Sequence, residues 1–563
     1  MSLAAAATVI SIRSRAALTW GVSAAPRHSY DPDSDPDHRP ILDRPPDSPA
    51  RPRYSGRMSA RIWLPVLAAM LCFPPVDAAG ADSLFDVTTY PSGGRAVAGE
   101  LVELDGDGRV DFFVVALLGI PPNERREIRV YLQTDDGTFP TEPDHTVAVP
   151  RWSAVYDMAD LVEDSPGTEI VLLRPDGVTL LTLANDSGRT WDLTVPGPTT
   201  SGLADDERGF EPFTLVYNDF GPEPWILIPQ IGQLTALDAK GGVKFRLDVP
   251  RRANYLIMPE TGMVALETDF QIFLDVPKLA AGDVDGDGRI DVVSSTRHEI
   301  RVFLQREDGG FDFEPDRTHA LDLVTARDHI RGSGGVASAI NDIDGDGLLD
   351  LVITHIQGGL RDAVTTIYLY MNRGGRWRLG SPDQTITSSA SMGSNALYDV
   401  DRDGRRELLR IEFDFSLFEI IEMLVSRELD VSLSIHRYSG DGGFGEKPWL
   451  RRSISVPFSF QTFRLKGFVP TAGHDVNADG YLDFVSSGDG DQIEIRLGDA
   501  RGPFARRGGR QKLSTAGNIH FADFDGDGLE DFLLFDPHNF DVPVQIGRNR
   551  GLLPGTPPRK PAP

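Results

Sequence analysis

The chain has 563 residues, 40% of them hydrophobic and 25% charged, the balance of ordinary globular material. Fifty-six basic against 84 acidic residues leave a formal net charge of −28, which repels nucleic-acid phosphate. One cysteine, Cys72, excludes an intrachain disulfide framework and cysteine-rich zinc sites, and the 11 histidines include no H-E-x-x-H pair.

Residues 1–57 are rich in Pro, Ser, Asp and Arg, lack a sustained period, and read as a disordered extension. Met58 then opens a different pattern: Arg61, an apolar run from Ile62 to Phe73, Pro74-Pro75 and a small-residue stretch. That is the order of a secretory signal peptide over 58–81, with cleavage after Ala81 or after Ala78, and it points to translation from Met58. The apolar run is too short to span a bilayer, and Leu71 before Cys72 departs from a lipoprotein signal. The expectation is an exported protein, secreted, periplasmic or extracellular, with no transmembrane span after cleavage.

From residue 103 onward a nine-residue acidic pattern recurs, with carboxylate or amide side chains at positions 1, 3, 5 and 9. The copies are Glu103, Asp105, Asp107 and Asp111; Asp283, Asp285, Asp287 and Asp291; and Asp342, Asp344, Asp346 and Asp350. The remaining three are Asp399, Asp401, Asp403 and Glu407; Asp475, Asn477, Asp479 and Asp483; and Asp523, Asp525, Asp527 and Asp531. Position 6 is always glycine: Gly108, Gly288, Gly347, Gly404, Gly480 and Gly528. Calcium takes six to eight hard oxygen ligands, and alternate residues of a tightly curled loop can supply several. A carboxylate at position 9 returns to the ion only if the glycine turns the chain, at positive φ. Without a cation, four such carboxylates repel one another. Up to about six Ca²⁺ ions are therefore expected as cofactors.

The last five copies begin at 283, 342, 399, 475 and 523, intervals of 59, 57, 76 and 48 residues, the period of a propeller or other repeat array. Two worn copies fit the long gap after Glu103. Asp160 to Glu169 precedes Ile170–Leu173, and Asn218-Asp219-Phe220-Gly221 precedes Trp225–Ile228; neither keeps enough ligands to bind calcium well. Short β runs follow the loops, among them Phe112–Leu118, Val292–Ser295, Leu351–Thr354, Phe484–Ser486 and Phe532–Phe535. Second alternating runs and aromatic turns at Phe311, Trp377, Phe444 and Phe504 come next. The 76-residue interval holds an insertion whose apolar spacing predicts a helix over 416–429. Eight loop equivalents favour eight blades. A ring closed by Leu84–Thr89 against Val542–Ile546 would leave seven.

The acidic loops and their strand grammar resemble the FG-GAP/VCBS repeats of exported bacterial proteins and of the integrin α-chain head. The resemblance covers roughly 84–550 and is weakest from about 150 to 275. It implies an all-β, seven- or eight-bladed β-propeller over 82–550 with calcium in loops that join the first two strands of a blade. A helical insertion and a disordered tail over 551–563 complete the expected organisation. Glu103, Asn477 and Glu407 depart from the family's loop, and a glutamate at position 1 requires a shifted loop. The family implies a binding or structural module for protein or carbohydrate partners. No nucleophile elbow, P-loop or dinucleotide pattern is present, and His298, His355, His474 and His520 form no catalytic set. The alternative is a calcium-dependent carbohydrate-active enzyme, a lyase or hydrolase. It would require a concave cluster of Arg, Lys, His or non-calcium acids on one propeller face.

Overall fold

The computed structural model describes residues 83–557 apart from short segments, the longest being 259–268 and 414–427. The extension and signal-peptide readings, 1–57 and 58–81, fall outside the described residues, as do 558–563.

Eight meandering antiparallel sheets follow one another along the chain, an eight-bladed propeller. Blade 1 consists of Arg95–Val102, Asp111–Leu118, Arg125–Tyr131 and His145–Ala148. Blade 2 spans Val155–Ala159 to Arg189–Thr194, with Glu211–Pro212 added in parallel beside its first strand. Blade 3 runs from Val216–Tyr217 to Val243–Leu247, blade 4 from Lys278–Gly282 to Arg317–Ala320, and blade 5 from Gly335–Asn341 to Gln384–Ser388. Blade 6 runs from Met392–Tyr398 to Arg464–Leu465 and blade 7 from Thr471–His474 to Gly502–Lys512. A two-stranded ribbon, Arg252–Met258 against Asp269–Asp275, is inserted between blades 3 and 4, where the sequence carried no signal for it.

Blade 8 takes Asn518–Ala522, Asp531–Phe535 and Val544–Asn549 from the C-terminal end and its outer strand, Phe85–Tyr90, from the other. Phe85 pairs with Asn549 and Tyr90 with Val544. The closing segments are those expected, yet closure does not reduce the count: the N-terminal strand completes the eighth blade. Gln511 of blade 7 fastens that strand, accepting from the Phe85 amide at 2.7 Å and donating to its carbonyl at 2.9 Å.

Strand alternation gives each blade two apolar faces, and each face meets a neighbour. Val293 and Leu351 share a core between blades 4 and 5, whereas Val292, next to Val293, packs with Leu227 of blade 3. The same arrangement repeats around the ring and returns to blade 1, where Phe535 and Leu533 of blade 8 pack against Phe112 and Tyr131. The turn aromatics join these inter-blade cores: Phe311 meets Phe245 of blade 3 at 4.7 Å, and Trp377, Phe444 and Phe504 are buried. Beyond Asn549, Leu553 is buried in the core shared by blades 7 and 8.

The helical insertion is not borne out. Most of 416–429 lies outside the described residues, but Glu428 and Leu429 open a strand, Glu428–His436, paired to Leu450–Ser459. Val431, Leu433 and Ile435 alternate with polar neighbours and are buried, so period-two patterning decides this stretch. Among the described residues the helix content is one 3₁₀ turn, Thr200–Leu203.

Candidate metal centres

Each of the six acidic segments joins the first strand of a blade to the second, in blades 1, 4, 5, 6, 7 and 8. Two strand ends thus clamp each loop, and the interior is shaped by its own carboxylates. At position 5, Asp107 accepts the Arg109 amide (2.8 Å), Asp287 that of Arg289 (2.8 Å) and Asp346 that of Leu348 (2.9 Å). Asp403, Asp479 and Asp527 likewise accept from Arg405, Tyr481 and Leu529 at 2.9, 3.1 and 2.9 Å.

At position 1, Asp283, Asp342, Asp399, Asp475 and Asp523 each accept the amide of the position-6 glycine, at 2.7 to 3.0 Å. Glu103, one methylene longer, takes the amide of Gly106 at position 4, as Asp283 and Asp342 also take those of Gly286 and Gly345 at 2.7 and 2.8 Å. The position-6 glycines lie at φ between 80° and 97°. A Cβ on Gly288, Gly347, Gly404 or Gly480 would meet nothing within 4 Å, so backbone conformation and not space requires glycine there.

Position 9 has a second task that sequence reasoning missed. Asp111 accepts the Leu104 amide at 2.9 Å and the Gln133 amide at 2.8 Å, tying the start of the loop to the chain after the third strand. Asp291 does the same with Val284 and Gln305, Asp350 with Ile343 and Asn372, Asp483 with Val476 and Gly498, and Asp531 with Phe524 and Asn549. Glu407 holds the Val400 amide at 2.9 Å, and Glu169, in the worn blade 2 loop, holds that of Leu161 at 2.9 Å. Side-chain amides extend the network between blades. Gln133 donates to the Phe524 carbonyl, Asn372 to that of Val284 and Asn549 to that of Val476, at 2.7 to 2.9 Å.

In five loops, carboxylate oxygens from positions 1, 3 and 9 lie within 4.8 Å of one another: Glu103, Asp105 and Asp111; Asp283, Asp285 and Asp291; Asp342, Asp344 and Asp350; Asp399, Asp401 and Glu407; Asp523, Asp525 and Asp531. The position-5 carboxylates do not belong to these groups and are engaged in the turn. Within the loops, Oδ1 of Asp344, Asp399, Asp401 and Asp523 is buried without a hydrogen-bond donor, an arrangement that suits a cation. Burial, reinforced by the neighbouring carboxylates, pushes the position-9 acids up: Asp291 to about 6, Asp111, Asp350 and Glu407 to about 7, Asp483 and Asp531 to about 8.

The blade 7 loop is different. Asn477 replaces the position-3 acid, and its amide nitrogen donates to Asp479 at 2.9 Å and to the Pro554 carbonyl at 3.0 Å. Arg402, from the blade 6 loop, reaches Asp475 at 3.3 Å. Asp475, Asn477, Asp479 and Asp483 therefore do not assemble the three-carboxylate group of the other five. In blade 2, Glu169 survives as a clasp; residues 219–222 of the blade 3 remnant lie outside the described residues.

The histidines noted in the sequence sit on other contacts: His474 faces Glu530 at 3.1 Å, and His520 faces Glu100 at 3.1 Å. Glu100 also accepts from the Tyr156 hydroxyl at 3.1 Å, so blades 8, 1 and 2 meet on it. These are inter-blade pairs.

The family model described as FG-GAP-like repeat matches residues 283–353, 342–409 and 475–534. No curated protein matches. Among solved structures, the chain is similar to an Agrocybe aegerita lectin described as recognising non-reducing terminal N-acetylglucosamine. That likeness has 16% identity, coverage of 81% of this chain and 86% of that one, and a TM-score of 0.33. Others are the Nup133 β-propeller domain of Vanderwaltozyma polyspora (10% identity, 73% and 94% coverage, TM-score 0.31) and the V. cholerae biofilm matrix protein Bap1 (11%, 81% and 81%, TM-score 0.23). The matched family segments start on the acidic loops of blades 4, 5 and 7 and end in the second strand of the following blade, so repeat and blade share one period. The chain is an eight-bladed β-propeller carrying FG-GAP-like repeats.

Proposed function

We propose that this chain is an exported, calcium-binding propeller that serves as a binding or structural module for protein or carbohydrate partners. The observation that carries the metal reading is the convergence of three carboxylates within 4.8 Å in each of five loops, with buried oxygens that lack donors in the loops of blades 5, 6 and 8. Hard, anionic oxygens at close range suit calcium in preference to softer cations. The position-1 and position-3 acids of each loop would hold the ion, while position 9 would lend it charge and keep its bonds to the strands. Bound calcium would relieve the mutual repulsion of these acids and fasten first strand to second. Export rests on the 58–81 segment, and an extracellular compartment would supply the calcium. The module reading rests on the propeller fold and its FG-GAP-like repeats.

The test is thermal melting of the full chain after chelation and again after calcium is returned, followed by screening of the loaded protein on a glycan array. The expected result is a melting temperature lowered by many degrees on chelation and restored by calcium but not by equal magnesium. An unchanged curve after verified metal removal would overturn the calcium reading.

A further inference from the structure

Blades 6 and 7 share an apolar core and, beside it, a polar cavity. Leu409, Leu433, Phe484 and Phe504 form their shared apolar core. Beside it lies a cavity of about 250 Å³, lined by Arg452 and Ile454 from the fourth strand of blade 6 and by Phe484, Ser486, Glu494 and Arg496 from blade 7. Register sets this lining: Phe484 lies opposite Arg496 and Ser486 opposite Glu494, so all four share the face turned to blade 6.

The charges do not cancel. Glu494 is 6% exposed and receives both Arg496 at 3.0 Å and Arg510 at 2.7 Å. Arg452 finds no carboxylate: one terminal nitrogen donates to the Phe504 carbonyl at 2.9 Å, and its Nε is buried without a partner. Burial first, and then the nearby Arg496 charge, lower the Arg452 pKa, while Glu494, already shared between Arg496 and Arg510, only partly offsets them. Arg506 and Arg507, exposed on the outer strand of blade 7, add to the positive field in a chain of net charge −28. A half-buried guanidinium with an unpartnered Nε is suited to an anion brought by a ligand. The Ser486 hydroxyl and the Glu494 carboxylate add polar partners for hydroxyl groups. Glu494 also disfavours a second negative charge, which selects against a phosphate dianion.

We propose that this cleft binds one singly charged anionic unit of a saccharide, its carboxylate or sulfate ester held by Arg452 and Arg496 and its hydroxyls by Ser486 and Glu494. The inference rests on the reading of the propeller as a binding module and names the ligand class of one site.

The test is titration calorimetry on the full calcium-loaded chain with four probes: a galacturonate tetramer, a sulfated galactan tetramer, the neutral galactan tetramer and sodium sulfate. At least one acidic tetramer should bind, weaken with added salt, and lose at least tenfold in affinity in Arg452→Met. Ser486→Phe, which fills the cavity and retains both arginines, should lose as much, while Arg501→Gln, remote on an exposed turn, should bind as the parent does. Melting curves establish that each variant is folded. Failure of both acidic tetramers to bind would overturn the inference, as would unchanged binding by both cavity variants or equal affinity for free sulfate. Neutral galactan bound equally by parent and Arg452→Met would overturn the anionic cleft and leave the binding-module reading standing.

Discussion

Position 4 of the acidic loops shows how much a single residue decides. Gly106, Gly286, Gly345 and Gly526 occupy it at φ between 72° and 86°, and in blades 6 and 7 Arg402 and Ala478 are held there at 58° and 54°. A left-handed conformation costs a residue with a Cβ about 1 kcal/mol relative to glycine. Ala478→Gly is therefore expected to stabilise the protein by about 1 kcal/mol in denaturant unfolding, and the β-branched Ala478→Val to destabilise it. The carboxylate positions were legible because the same spacing of acids around a glycine recurs six times. The position-4 requirement was not, because it is a backbone demand that two of six loops meet with strain.

The position-9 acids give a second residue-scale prediction. Asp291 is fully buried and satisfies two backbone amides, and Glu169 is equally buried and satisfies that of Leu161. Orphaning a buried amide costs about 1–3 kcal/mol. Asp291→Ala and Glu169→Ala should each lower unfolding stability by about that amount in chelated protein, measured by denaturant midpoint. Only Asp291→Ala should lose more when calcium is present. A silent Glu169→Ala would show that the clasp contributes nothing apart from metal.

At the scale of elements, the strands after the acidic loops were read almost to the residue, because apolar runs bounded by glycine-rich turns leave little alternative. The observed strands start one residue earlier, at the position-9 acid, whose carboxylate binds the loop while its backbone already pairs. The helix predicted over 416–429 fails at its described end, where Glu428 and Leu429 begin a strand paired with Leu450–Ser459 and Val431 and Leu433 continue it with a two-residue period. The ribbon of Arg252–Met258 and Asp269–Asp275 left no trace because it carries neither acidic loop nor aromatic turn. The closing strand offers the sharpest test at this scale. Phe85 is 1% exposed and meets Phe532 edge-on at 5.0 Å. Phe85→Ala should cost about 3 kcal/mol and raise amide exchange in Val544–Asn549 more than in blade 4.

At the scale of the molecule, the ring closes through apolar faces shared by neighbouring blades, and the acidic loops are linked to one another in the same sense. The Asp283 carbonyl accepts the Leu349 amide at 2.8 Å, and the Ile343 carbonyl accepts that of Arg406 at 2.9 Å, so the loops of blades 4, 5 and 6 form a continuous chain. Blades 2 and 3 keep the apolar faces, with Val171, Leu180, Ile226 and Ile228 between them, but not the ligand sets. Blade formation and the acidic ligand sets are thus separable. Hydrophobic period specifies eight blades, and the acidic loops add fastening along the arc from blade 4 to blade 1. The count of eight was left open in the sequence because a closing strand and a complete blade can draw on the same segment. A site with a Kd a hundredfold below ambient calcium would add about 2.7 kcal/mol, so occupancy of all five three-carboxylate loops would dominate the stability of this arc. Direct counting of bound calcium in the purified full chain, by elemental analysis after equilibrium dialysis, is the decisive measurement. The expected result is at least five ions per chain, falling by one in Asp285→Ala; a chain that retains none at millimolar calcium would contradict it.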